Sequence, residues 1–187
     1  MLTSLIVPTY TQMLTALAGW LDKAGAQRPG GEAEALLSAH LAPDMFPLAT
    51  QVRFACAQAH EAVARLSGEE LPPSVAALLD EGRNARERPG TLADAQARIT
   101  ETLALLDALP PAALDTDPAR PLAHALPNGM IFDLTAEQYA RDWNLPQFYF
   151  HLMTTYAILR SEGIALGKAD YVAHMFAYLR PGTAPTG

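Results

Sequence analysis

Five histidines and a single cysteine are the side chains of this sequence best suited to metal or nucleophile chemistry, and their spacing decides what each could do. His60 and Glu61 begin like the helical zinc-protease signature, in which histidines four residues apart hold the ion and the glutamate acts as base. Ala64 stands where the second histidine must be, so the motif is absent and His60 is expected on the surface. His40 and Asp44 are also four apart, but Pro43 breaks any helix that would align them. His124 and His174 have no ligand partner at useful spacing. His151 shares a helical face with Phe148, Leu152 and Thr155, which would turn it to the bundle interior, and it is the best site candidate. Cys56 falls on an apolar helical stripe, where a buried thiol is inert. Asp44 precedes a long helix and reads as its cap, while Lys168 and Asp170 read as a solvated turn after Gly167. No phosphate-binding glycine loop, dinucleotide fingerprint or serine-hydrolase elbow occurs.

The elements that would position these residues are mostly helices. Tyr10, Met13, Leu14, Leu17, Leu21 and Ala24 recur at helical spacing, flanked by Trp20, with Pro8 suited to a first turn and Gly25 to a stop. A second long helix is predicted from about 47 to 66, with Leu48, Val52, Ala55, Cys56, Ala59, Val63 and Leu66 as its stripe and Gly68 as its end. The charge-alternating run 81 to 88 reads as a solvated loop. Thr91 with Asp94 resembles a capping box that opens a third long helix, stopped by Pro110 and Pro111. Alternating Leu122, His124 and Leu126, the turn Pro127-Asn128-Gly129, and alternating Met130, Phe132 and Leu134 predict a β-hairpin. Thr135 would then cap a short helix to Trp143, and Pro146 would open the fourth long helix, ending at Gly163.

That last helix carries Phe148, His151, Leu152, Thr155, Tyr156 and Leu159 on one face and Phe150, Met153, Ala157 and Ile158 elsewhere. A helix apolar on most sides is buried on most sides, so a partner subunit or the C-terminal segment is expected to cover the second face. A final amphipathic helix is expected over 171 to 179, and 181 to 187 should fray.

Composition bounds the rest. A chain of 187 residues has room for one core, so one domain is expected. Alanine carries much of the 50% hydrophobic content, which favours helices. A net charge of −7 repels phosphate backbones, so nucleic acid is not an expected partner. One cysteine permits no internal disulfide and fits a reducing cytoplasm. The early sequence lacks a basic start and carries Pro8, so no signal peptide is expected, and no apolar run approaches the roughly 20 residues that span a bilayer.

Two segments are more specific than these patterns. One is Leu41-Ala42-Pro43-Asp44-Met45-Phe46-Pro47-Leu48 followed by Gln51-Val52. The other is Phe148-Tyr149-Phe150-His151, then Thr154 through Arg160, then Leu166-Gly167-Lys168-Ala169-Asp170. With Val7-Pro8, Met13-Leu14 and Trp20-Leu21 they resemble an uncharacterised bacterial family of the DinB/YfiT-like superfamily over about residues 1 to 172, leaving 173 to 187 as a C-terminal extension. The resemblance implies an all-α four-helix bundle, often a homodimer, with the hairpin between the third and fourth long helices. In the wider superfamily it also implies three histidines on the second and fourth helices that hold a divalent metal. Some members use that metal in thiol-cofactor transferase or isomerase chemistry.

This sequence departs from that ligand pattern. Thr155 stands where the second histidine of the last helix would be, and Gln51 is the nearest polar candidate on the second helix. An amide and a hydroxyl are weak ligands for zinc or nickel. No cofactor is therefore predicted, and His151 is only a weak metal candidate. The pocket candidates are His151, Gln51, Thr155 and Asp44, with His151 either a ligand or proton shuttle facing the bundle interior or, as preferred, a core histidine bonded to Gln51 or Thr155. The leading expectation is a homodimeric DinB-like bundle without the complete metal site. The alternatives are a metal-dependent transferase or hydrolase with an atypical site, and a small-molecule binding module built on Met45-Phe46 and Phe148-Tyr149.

Overall fold

The computed structural model describes residues 1–183. Four long helices form the bundle: α1 (Leu2–Gln27), α2 (Leu48–Ser67), α4 (Leu92–Asp107) and α6 (Leu145–Ser161). A shorter helix, α3 (Pro73–Arg83), lies against α2. The strands β1 (Pro121–Ala125) and β2 (Ile131–Thr135) pair antiparallel, with His124 opposite Phe132 and Leu122 opposite Leu134. The short helix α5 (Ala136–Gln138) runs through a π-helical segment, Tyr139–Asn144, directly into α6. After α6 the chain forms α7 (Lys168–Tyr171) and a 3₁₀ segment, Ala173–Tyr178. The expected fraying of the terminus lies in part outside the described residues.

The centre of the bundle is α2, which packs against α3, α4 and α6. Ala49, Ala55, Ala57, Ala59, Ala62 and Ala64 are all buried along it. Small side chains on every face let neighbouring helices come close on several sides, since interaxial distance follows side-chain size. The core is completed by Trp20, Tyr10, Leu14 and Leu17 of α1 and by Phe148, Leu152 and Leu159 of α6.

Several local expectations are met for the reasons that motivated them. Thr91 Oγ1 accepts from the Asp94 amide at 3.0 Å, and Asp94 Oδ2 accepts from the Thr91 amide at 2.8 Å, a reciprocal cap for α4. The hairpin turns at Gly129, whose φ of 87° suits a residue without a Cβ.

Others are corrected by tertiary contacts. Helix α1 begins at Leu2, so Pro8 lies inside it. The early turns are held from outside: the Thr3 amide donates to Asp115 Oδ1 and Thr3 Oγ1 accepts from the Leu114 amide, each at 2.9 Å, while Ile6 is fully buried. These anchors offset the hydrogen bond that proline removes.

The run 81 to 88 is not a solvated loop throughout, because α3 continues to Arg83 and Ala85 is buried. Gly82 makes that possible. A Cβ there would run into the Phe54 ring, so glycine lets α3 lie against α2 without displacing that ring. The Gly82 carbonyl accepts from Thr50 Oγ1 at 2.7 Å across the same contact.

On α6, Ile158 is buried rather than on the second face. It lies two helical turns after His151 and therefore shares its side. The C-terminal segment turns back onto α1, where Tyr171 stacks on Trp20 at 5.9 Å between ring centroids. Phe150 and Met153 stay 56% and 44% exposed.

Candidate functional site

His151 and Gln51, one hundred positions apart, meet where α6 packs against α2. The separation of His151 Nδ1 from Gln51 Oε1 is 2.9 Å. The direction of this bond follows from its neighbour. The Phe46 carbonyl can only accept, so the Gln51 amide nitrogen donates to it at 3.1 Å, which turns Oε1 toward His151. Oε1 can only accept, so Nδ1 carries the imidazole proton and Nε2 keeps its lone pair. Nε2 has no protein hydrogen-bond partner among the described residues. The rings of Phe54 and Phe150 stand edge-on to the imidazole, with centroids 5.3 and 5.4 Å away. Burial in this setting pushes the His151 pKa down to about 4, so the ring is neutral at physiological pH.

Thr155 donates its hydroxyl to the His151 backbone carbonyl at 2.9 Å, the ordinary back-bond of a helical threonine. Asp44 is exposed and does not cap α2, whose N-cap is Pro47 without a side-chain bond. Arg86 holds that loop instead, donating to the carbonyls of Pro43 and Met45 at 3.0 and 2.6 Å. The helix start is met without aspartate, because the Leu48 amide donates to the Ala39 carbonyl at 2.9 Å and the Thr50 amide to the Pro47 carbonyl at 3.0 Å.

This donor set does not fit a three-histidine metal site. Nε2 of His151 is a proper ligand atom, with Gln51 in the place of an outer-shell partner. The Thr155 hydroxyl and the Gln51 amide oxygen are weak ligands, so the group offers one good donor atom where an open zinc site needs three ligands. Among the described residues, no three His, Cys, Asp or Glu side chains are placed to hold an ion.

The remaining candidates are accounted for by packing. His60 is buried, not on the surface. Thr102 Oγ1 donates to the Arg98 carbonyl at 2.7 Å and so accepts from His60 Nε2 at 3.2 Å, while Ser74 Oγ lies 2.9 Å from Nδ1. Its pKa is lowered by burial. The position sits on the crowded side of α2, which α3 and α4 cover. Cys56 is fully buried, and burial pushes its thiol up to about 12, far from a thiolate. Phe148 is buried against Tyr10 with ring centroids 4.4 Å apart, so it is not a free binding surface. Asp170 caps α7 by accepting from the Gly167 amide at 2.8 Å and also pairs with Lys23.

Two polar clusters escaped the sequence reading. Asn144, turned inward by the π-helical segment, accepts from Tyr10 Oη and donates to the Gln58 carbonyl at 3.0 Å. His124 packs between Tyr139 and Trp143 with neither ring nitrogen hydrogen-bonded, and its Nδ1 lies 3.7 Å from Glu61 Oε1. Glu61 and Arg53 are charged residues on a nearly all-buried helix, and that is the signal that marks them.

The helical core, the inserted hairpin and the histidine at the α2–α6 contact define a DinB-like four-helix bundle. The chain belongs to the family described as Domain of unknown function (DUF1993), whose model matches residues 2–172. It is similar to the crystal structure of a DinB family member protein from Shewanella denitrificans, with a TM-score of 0.73 and 32% sequence identity. That match covers 99% of this chain and 96% of the other. Comparison with the curated proteins gives no match. Among the described residues, no helix is long and apolar enough to cross a membrane.

Proposed function

We propose that this chain is a cytoplasmic, homodimeric DinB-like bundle in which His151 is a neutral hydrogen-bonding group rather than one ligand of a metal centre. The observation that carries this reading is the His151–Gln51–Phe46 relay. It fixes the proton on Nδ1 and leaves Nε2 as the one good ligand atom of the group. A neutral imidazole of pKa about 4 is a weak base at pH 7, so it serves better to accept a hydrogen bond from a small ligand than to take a proton from one.

Metal analysis of untagged, dialysed protein tests the first half. The expected result is no stoichiometric zinc or nickel. About one metal per chain, lost in His151→Ala, would instead establish an atypical metal site at His151 and overturn this reading.

The exposed apolar face of α6 supports the second half. Tyr149, Phe150 and Met153 stand together there, a larger apolar grouping than scattered surface residues would make. Sedimentation at micromolar concentration should show a dimer, and Phe150→Glu with Met153→Glu should convert it to monomer. A wild-type monomer at that concentration would remove this part of the reading.

A further inference from the structure

A cleft of about 490 Å³ opens between α2, α3 and α4, lined by residues that the His151 group does not use. Arg53, Arg88 and Arg98 bring three guanidinium groups to it. Asp80, Glu81, Asp94 and Glu101 bring four carboxylates. Most of these charges are spent on one another or on nearby polar groups. Arg98 grips Glu81 with two nitrogens and Glu101 with a third at 2.8 Å. Asp94 is held by the amide and hydroxyl of Thr91, each at 2.8 Å, and Asp80 accepts from Asn84 Nδ2 at 3.0 Å.

Arg53 is different. Its side chain is only 4% exposed, yet its donors are largely unspent. One terminal nitrogen donates to the Ala49 carbonyl at 3.1 Å. Nε stands 3.5 Å from Glu81 Oε2 and makes no hydrogen bond. The other terminal nitrogen has no acceptor among the described residues. Glu81 meets the charge of Arg53, but the sealed Nε is left without a hydrogen bond, and the planar fork of Nε and the free terminal nitrogen matches a carboxylate. Gly90 keeps the approach open. A Cβ at that position would lie 2.8 Å from this free nitrogen, and the backbone there has a φ of 73°.

We propose that this cleft binds a small zwitterion, a molecule carrying one carboxylate and one ammonium group, with the carboxylate on Arg53 and the ammonium beside the acidic rim. Charge balance selects the class. A phosphate dianion would satisfy Arg53 but face four carboxylates, and a simple amine would leave the unspent donors of Arg53 without an acceptor. A zwitterion meets both. Asp80 and Glu101 lie at the exposed edge, where an ammonium group keeps part of its hydration. The volume is in the range of small-molecule sites, about 300–1,000 Å³. Arg53 is already immobilised on α2, so little side-chain freedom is lost on binding.

The test is titration calorimetry of the full chain, with the Arg53 Nε resonance followed by NMR. The probes are straight-chain amino acids with one to five carbons between the two charged groups, from glycine to 6-aminohexanoate. Matched carboxylates, matched amines and inorganic phosphate are the controls. At least one amino acid should bind at least about tenfold more tightly than its matched carboxylate, its matched amine and phosphate, and should shift the Arg53 Nε signal. Arg53→Lys keeps the charge but loses the fork and should weaken binding by about tenfold or more. Arg88→Gln, at an exposed position, leaves the fold intact and should weaken binding by a smaller factor. His151→Asn should leave it unchanged, which separates this site from the His151 reading. The proposal is overturned if no member of the series binds by about 10 mM, or if a carboxylate or phosphate binds as tightly as the best amino acid. It is overturned equally if folded Arg53→Lys retains full affinity. Should that variant not fold, an unmoved Arg53 Nε signal together with unchanged affinity in Arg88→Gln overturns it.

Discussion

Replacing Leu152 by alanine is expected to lower the unfolding free energy by about 2–5 kcal/mol, read from urea denaturation at neutral pH. Leu152 is fully buried on α6, the helix that closes the bundle against α2. The walls around it are helices already in contact, so they can collapse only partly into the space of the lost methyl groups. Tyr156→Ala should act in the same direction, by about 2 kcal/mol or more. That ring is only partly buried, but it stands edge-on to Trp20 at 5.6 Å and to Tyr171 at 6.2 Å, and so ties the C-terminal segment to the bundle. Losses under about 0.5 kcal/mol at both positions would mean that α6 is rotated from the orientation described.

Acid should destabilise the protein well above the pH at which its carboxylates titrate. The imidazole of His151 has a folded pKa of about 4 because of burial, against about 6.5 in an unfolded chain. Between these values the unfolded state binds a proton that the folded state refuses. Stability therefore falls as pH drops below about 6.5, by about 1.4 kcal/mol per unit, and the loss levels off near pH 4 at on the order of 3 kcal/mol. His60 and His124 are shifted in the same direction, mainly by burial, and add to the slope. His151→Gln removes one of the three contributions. It should be less stable than the parent at pH 7 and show a flatter dependence of the urea midpoint between pH 6.5 and 4. An unchanged slope in that variant would show that His151 is not a buried neutral group.

Much of the architecture was legible in the sequence, because the signals involved are local. The apolar stripes of α1, α2, α4 and α6 repeat at helical period and are buried as that period requires. Pro127-Asn128-Gly129 marked the hairpin, and Thr91 with Asp94 marked the start of α4, since a turn and a cap are satisfied by residues a few positions apart. The long motifs around Phe46 and His151 carried the family resemblance, and the chain does belong to such a family.

What the tertiary structure decided is where polar groups go once helices close on one another. Periodicity says which side of α2 is apolar, but not that α3, α4 and α6 together leave it hardly any free side; His60 is buried for that reason. Asp44 looked like a cap because it precedes a helix, and it is free because Ala39 and Arg86 already satisfy that loop. The His151–Gln51 bond and the unspent donors of Arg53 depend on contacts between helices far apart in the chain. A single sequence sets the hydrogen-bonding capacity of each side chain. Whether that capacity is met inside the protein or left open to a ligand depends on distances that exist only after packing.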